Sequence, residues 1–305
     1  MSMLRIGVLG GTGFVGHSLC LRLAGAGHEV RLFSRRRERH RELLVLPTAQ
    51  VVEADVYNPA VLKSEFQGLD AVVNLVGILN EKGRDGSGFE RAHAELPAKV
   101  VQACRQAGVG RLLHMSALAA TPQAPSFYLR SKARGEQVVH EAEGPDLHVT
   151  SFRPSVIFGP GDSFTNRFAQ LLRQVPLAFP LACARSRLQP VYVEDVVSAF
   201  VGALDRHATF GQRYDLCGPK PYTLEEIVAY LARVLGLKRR IVPLGNSVSR
   251  LQAALLQFAP GKPFTPDNYR SLQVASTCDR PFPAIFGVTP ARFEDVVPTY
   301  LGRSV

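Results

Sequence analysis

The chain has 305 residues, of which 46% are hydrophobic and 20% charged, and its formal net charge is +10. That is an ordinary globular composition, long enough to bury a large core in two domains or one elaborated one. No apolar run approaches the roughly 18 residues of a membrane span, and the first apolar stretch lacks a signal peptide's layout, so a cytoplasmic protein is expected. The basic excess raises nucleic acid and anionic membrane as partners. No aromatic-and-basic motif supports nucleic acid, and the excess reads as a solvated basic surface plus one anion site. Peripheral attachment to anionic lipid at the inner face of a membrane stays open. The five cysteines (Cys20, Cys104, Cys183, Cys217 and Cys278) are odd in number and scattered. They read as free thiols in a reducing compartment, without metal-site spacing.

Residues 4–16 read LRIGVLGGTGFVG: an apolar strand, a glycine-dense turn, then a helix-compatible segment at 17–24. Gly10, Gly13 and Gly16 stand three apart. The first allows a sharp turn, the second lets a diphosphate approach the backbone, and the third lets helix and strand pack closely. Strands are expected at 5–9, 29–34, 50–53, 71–75, 111–116 and 148–153. Helices are expected at 17–24, 59–66, 90–107 and 131–143, with Asn58 and Pro59 as cap and first-turn proline. This alternation predicts an α/β fold, a doubly wound parallel Rossmann sheet, with a smaller C-terminal lobe capping its ligand edge. The dinucleotide-binding domain spans 1–158, its sheet completed by 186–205; the smaller substrate lobe takes 159–185 and 206–305. Within that second half, 153–162 and 176–190 read as loops, with helices at 193–204 and 224–235 and a strand near 212–216. An amphipathic segment at 248–258 precedes an irregular stretch at 259–268.

The second strand ends in RLFSRRRERHRE, with Ser34 and Arg35 where an NAD-selective carboxylate would sit. A guanidinium matches a 2′-phosphate with paired hydrogen bonds, so Arg35, then Arg36, are read as phosphate contacts and NADP(H) is favoured over NAD(H). The bland alternative is a charged helix start. Asp55, ending the third strand, suits either an adenine amino group or a turn. After the fourth strand, Leu75, Val76 and Gly77 pass close to a cofactor ribose. Tyr128 and Lys132, four apart, share one helix face, twelve residues past the strand-end Ser116. A free phenol has a pKa of about 10. An ammonium about 4 Å away, worth about 4 kcal/mol at an effective dielectric of about 20, is expected to lower it. Ser116 can hydrogen-bond a reacting carbonyl or alcohol oxygen. The leucines Leu251, Leu255 and Leu256 with Phe258 suit either an apolar ligand or plain core.

From its N-terminal glycines through RPSVIFGPGD (153–162), and again at QPVYVEDVVSAF (189–200), the chain resembles the extended or atypical short-chain dehydrogenases/reductases of the epimerase/dehydratase type. More narrowly, VYVEDV with PGKPFTPDN (260–268) resembles bacterial proteins akin to alpha-subcomplex subunit nine of mitochondrial complex I. The broad resemblance implies a nicotinamide cofactor held by Gly10, Thr12, Gly13, Phe14, Val15, Gly16, Val56 and the residues above. It puts Ser116, Tyr128 and Lys132 in the family's triad positions and Pro154 and Val156 near the nicotinamide. His93, where many extended members carry asparagine, departs from the pattern and puts a proton-relay role there in doubt. Two functions follow as expectations. One is an NADP(H)-dependent oxidoreductase acting on a carbonyl or alcohol of an apolar or quinone-related small molecule. The other is an NADPH-binding assembly or regulatory protein tied to respiratory complex I or ubiquinone metabolism.

Overall fold

The computed structural model describes residues 3–35 and 48–302. Six strands, β1 (Arg5–Leu9), β2 (Glu29–Ser34), β3 (Ala49–Glu53), β4 (Ala71–Asn74), β5 (Arg111–Met115) and β6 (His148–Pro154), join Gln212–Leu216 in one sheet. All its neighbours run parallel, in the order Gln212–Leu216, β6, β5, β4, β1, β2, β3. The strands are near-continuous Val, Ile and Leu runs because both faces are covered, and all of β5 is buried. The direction of winding reverses between β1 and β4, which opens a crevice at the carboxyl ends of those two strands.

Helix α1 (Phe14–Gly25) packs with Val193–Ala203 on one face. Helices α2 (Pro59–Glu65), α4 (Leu96–Ala107) and α5 (Phe127–His140) cover the other. Asn58 caps α2 as its sequence implies, accepting the Ala60 N–H at 3.0 Å. The helix expected over 90–107 is divided. A short α3 (Ser87–Glu90) leads into one wide π turn, Arg91–Glu95, before α4. The widening accompanies a close crossing with α5: a Cβ on Gly135 would stand 1.7 Å from the His93 carbonyl oxygen.

The capping lobe packs Thr165–Gln174, Leu224–Val234 and Phe293–Leu301 around Phe158, Leu231 and Val297. A parallel pair, Ala178–Leu181 with Arg240–Pro243, adds a small second sheet. The first and last of these helices were not expected from the sequence, although the buried Thr165, Ala169 and Leu172 recur at helical spacing. Thr165–Gln174 starts from the carboxylate of Asp162, which accepts the Phe164 and Thr165 N–H groups, so its start signal lies inside an apparent loop.

Two expectations are corrected. Residues 186–205 do not complete the sheet: they supply the helix Val193–Ala203 packed on its face, while the outer strand is Gln212–Leu216, from the stretch expected in the smaller lobe. Nor are all the cysteines free, because Cys217 and Cys278 form a disulfide. Gln189 brings the two segments together, donating to the Gly218 carbonyl at 2.6 Å and accepting the Cys278 N–H at 3.0 Å. Spacing cannot reveal such a pair, since 61 residues and two chain reversals separate its members. Cys20, Cys104 and Cys183 are free and buried.

Candidate active site

At the end of β1, Gly10 turns the chain with φ +78°, and a Cβ there would stand 3.0 Å from the Leu75 carbonyl carbon. On Gly16 a Cβ would fall 2.2 Å from the Gly10 oxygen. Only glycine lets β1, its turn and α1 close this tightly. Helix α1 starts at Phe14, earlier than residue 17, with Gly13 as N-cap and no capping side chain. The N–H groups of its first turn therefore have no protein partner and no acidic neighbour in that turn. Gly10, Gly13, Phe14, Val15 and Gly16 line one cleft of about 480 Å³, so an anion there meets open donors and the positive end of a helix.

Three further side chains meet in the same cleft: Ser116, just past β5, and Tyr128 and Lys132 on α5. Helix α5 is anchored at its start with unusual thoroughness. Asp267, from the capping lobe, accepts the Phe127 N–H at 2.7 Å and the Tyr128 N–H at 3.0 Å, while Ser126 accepts that of Leu129 at 3.2 Å. Lys132 is buried and donates to the Met115 carbonyl at 2.9 Å. Burial pulls its ammonium from 10.5 down to about 8. The Tyr128 phenol moves oppositely to expectation. Burial pushes it from 10.0 up to about 12, because apolar surroundings disfavour phenolate.

Ser116 Oγ is buried and has no hydrogen-bond partner of good geometry. Beneath it, Glu136 sits between Arg153 and Arg213. Burial pushes that carboxyl up, but the Arg153 hydrogen bonds, the nearby Ser116 hydroxyl and the two guanidinium charges bring it below its ordinary value. An orphaned buried hydroxyl facing the cleft, together with a glycine cradle that any Cβ would fill, fits an oxygen-bearing ligand and a diphosphate.

His93 lies in the π turn behind Tyr128, their rings edge to face at 5.4 Å. Its Nε2 accepts the Ile78 N–H at 3.0 Å, so the ring proton sits on Nδ1 and is donated to Ser131 Oγ at 2.9 Å. Ser131 Oγ in turn donates to the Tyr128 carbonyl at 2.9 Å. Burial, helped by Lys132 and His114, lowers the imidazole to about 2. Both ring nitrogens are committed to fixing the backbone on either side of the cleft.

Leu75, Gly77, Pro154 and Val156 also line the cleft; Thr12, Ser34, Arg35, Asp55, Val56 and Val76 do not. Val76 N–H is held by the Asn74 side chain at 3.2 Å, and Val56 belongs to the core under α2 and α4. Asp55 closes a turn, accepting the Tyr57 N–H at 3.0 Å. Arg35 is exposed at the end of β2, and Arg36 lies outside the described residues. Burial pushes the Tyr57 phenol up while the guanidinium groups of Arg91 and Arg35 pull it down, which places both cations around that ring. Arg91 stacks on it at 4.5 Å and escaped sequence reasoning, since only the turn after Asp55 brings Tyr57 to the π turn. The remaining lining residues were also missed. They are mostly apolar, among them Ile78, Leu118, Phe164, Leu188, Leu272 and Val274, and Lys132 is the one charged side chain among the described residues that line the cleft. Leu251, Leu255 and Phe258 do not line this cleft; they are exposed.

A parallel sheet with a glycine turn at its switch point, and Ser116, Tyr128 and Lys132 beside it, defines the architecture of a nicotinamide-dinucleotide protein of the short-chain dehydrogenase/reductase type. The sequence pattern of the NAD dependent epimerase/dehydratase family matches residues 6–217, and the chain belongs to that family. It is 32% identical over 244 residues to a ceramide reductase of Caulobacter vibrioides, covering 78% of this chain and 73% of that protein. It is 30% identical over 299 residues to mitochondrial NADH dehydrogenase (ubiquinone) 1 alpha subcomplex subunit 9 of Mus musculus, covering 94% of this chain and 77% of the other. In solved structures the fold is shared with an epimerase of Methanothermobacter thermautotrophicus, at TM-score 0.70 and 18% identity over 80% of each chain.

Proposed function

We propose that the chain is an NADP(H)-dependent reductase of a carbonyl in an apolar, lipid-like or quinone-like molecule. One observation carries the substrate class: among the described lining residues Lys132 alone is charged, and the rest are mostly apolar, interrupted by neutral serine hydroxyls (Ser155, Ser163, Ser271 and Ser276). A sugar nucleotide would bring a second diphosphate into that space with no guanidinium to meet it, which argues against an epimerase of such substrates. In this reading the first turn of α1 and Gly10, Gly13 and Gly16 hold the coenzyme diphosphate. Arg35, with Arg36, takes the 2′-phosphate; Tyr128 and Lys132 hold the nicotinamide ribose, and Pro154 and Val156 flank the nicotinamide. When bound, the coenzyme supplies the hydride that reduces the carbonyl carbon.

The protein's own part is proton handling and placement. Ser116 Oγ, which lines the cleft and has no protein hydrogen bond of good geometry, donates to the substrate oxygen. Tyr128, held protonated with a pKa of about 12, delivers its proton to that oxygen as negative charge develops on it. The charge on Lys132 steadies the phenolate left behind. At neutral pH this phenol carries its proton, the form that a reduction needs. The test is NADPH consumption with long-chain ketones and quinones by the native chain and by Tyr128→Phe. The variant should lose about 10²- to 10⁴-fold in kcat, far more than it loses in coenzyme affinity through the missing ribose contact. Turnover unaffected by the substitution, or no turnover of any apolar carbonyl, would overturn the reading.

A second reading, a nucleotide-holding assembly or regulatory protein, is favoured by the 30% identity to the complex I subunit over 94% of this chain. It predicts that Tyr128→Phe with Lys132→Ala keeps both coenzyme binding and cellular function.

A further inference from the structure

The helix Asn246–Leu256 is built inside out. Its small residues Ser249 and Ala253 face the protein, whereas Val248, Leu251 and Leu255 face solvent on one stripe, 51%, 59% and 63% exposed. Phe258, just past the helix, continues the stripe at 65% exposure. A helix that simply met water would carry the reverse pattern.

The charge around this stripe is one-sided. Residues 227–266 contain six basic side chains and no carboxylate, and residues 163–193 contain four and none. These two segments thus hold ten basic side chains and no carboxylate, in a chain whose net charge is +10. The fold joins them: Ala178–Leu181 pairs with Arg240–Pro243, and Arg167 donates to the Gly261 carbonyl. The segments build one lobe, so the basic excess is gathered there rather than spread over the molecule.

The stripe also reaches the cleft. Arg84 stacks on Phe258 at 4.4 Å, and Lys262 donates to the Glu81 and Lys82 carbonyls at 2.7 and 3.0 Å. The loop so held begins at Leu79, which lines the cleft, is 57% exposed, and accepts from Asn268 at 3.3 Å. Asp85, the exposed carboxylate of that loop, is turned onto Ser87 at 2.7 Å.

We propose that this face docks on an anionic lipid bilayer, with Val248, Leu251, Leu255 and Phe258 entering the headgroup region and the basic lobe resting on the charged surface. An apolar stripe backed by unpaired cations is what such a surface rewards, each cation near it adding to the attraction and salt weakening it. Docked this way, the Leu79 rim of the cleft lies beside the bilayer. The docking stands on the stripe and the charge alone; only the supply of an apolar substrate from the bilayer rests on the reductase reading.

The experiment is flotation of the intact protein with phosphatidylcholine vesicles, with and without about a third phosphatidylglycerol. The native chain should float with the anionic vesicles at low salt and be released as salt rises. Leu251→Glu with Leu255→Glu should weaken flotation by about tenfold or more, and Arg240→Gln with Arg250→Gln should weaken it for anionic vesicles only. All four side chains are exposed, so thermal melting and coenzyme affinity should not change. Failure of the native chain to float, or flotation unchanged in the Leu251, Leu255 variant, overturns the proposal. So does sedimentation showing that this variant merely splits a dimer, which would make a second copy the occupant. Since flotation needs no turnover, failure here leaves the reductase reading standing, and the reverse.

Discussion

Acidification tests whether His93 is locked in its neutral form. The side chain is 1% exposed, with Nε2 accepting from Ile78 and Nδ1 donating to Ser131. A second proton would have to go on Nε2, setting it against the Ile78 N–H, donor against donor. Burial, then the charges of Lys132 and His114, therefore hold the imidazole at about 2 against an ordinary 6.5. Below pH 6.5 the unfolded chain binds a proton here that the native chain refuses, so stability falls with pH, and continues to fall until the native group itself titrates near 2. At about 1.4 kcal/mol per unit, the descent from about pH 7 to about pH 5 costs about 2 kcal/mol through this one ring. His114, held at about 3 chiefly by burial, adds a similar loss of its own, which remains when His93 is replaced. Urea unfolding of the native chain and of His93→Asn at both pH values separates the two. The variant is less stable at pH 7, but its loss on acidification should be smaller than the native chain's by about 2 kcal/mol. Equal losses in the two proteins would refute the assignment of a neutral, doubly committed His93.

Three other outcomes follow from the geometry. Gly16→Ala forces a methyl to within 2.2 Å of the Gly10 oxygen, so the turn must open and coenzyme affinity by calorimetry should fall at least about tenfold, while Gly25→Ala, with open space around it, should leave affinity unchanged. Cys217→Ser removes a cross-link closing 61 residues, worth up to about 4 kcal/mol by loop entropy; a chemical-denaturation midpoint indifferent to both this substitution and reductant would show that the pair is not closed. Asp267→Ala strips two acceptors from the start of α5 and should cost about 1–2 kcal/mol. If Asp267 also fixes Tyr128, kcat should fall more than KM rises, and Asp267→Asn, which keeps an acceptor oxygen, should recover part of both.

The parallel sheet was legible because its strands are buried on both faces, so that nothing but Val, Ile, Leu and their like fits them. All six strands expected in the first half begin and end within a residue of their observed limits, as β1 and β2 show. Helix starts were less legible: α1 begins at Phe14 because an uncapped glycine precedes it, and a site kept open for a ligand lacks the capping residue that usually marks a start. The division of 90–107 was hidden because its cause, the missing Cβ of Gly135, lies on another helix. The cleft shows the same limit. Ser116, Tyr128 and Lys132 could be read from spacing, since one strand and one helix carry them. Asp267, which holds that helix from the other lobe, comes from the stretch that looked like irregular loop, and Leu272 and Val274, which wall the cleft, from the residues just past it, for which the sequence offered no assignment. That segment is fastened twice over: Ser155 donates to the Ser276 carbonyl at 2.7 Å, and Cys278 is bonded to Cys217 at the end of the outer strand. The reacting groups therefore belong to a local motif, whereas their alignment depends on contacts more than a hundred residues away, so substitutions around residues 267–278 should alter what the cleft accepts while leaving the coenzyme cradle intact.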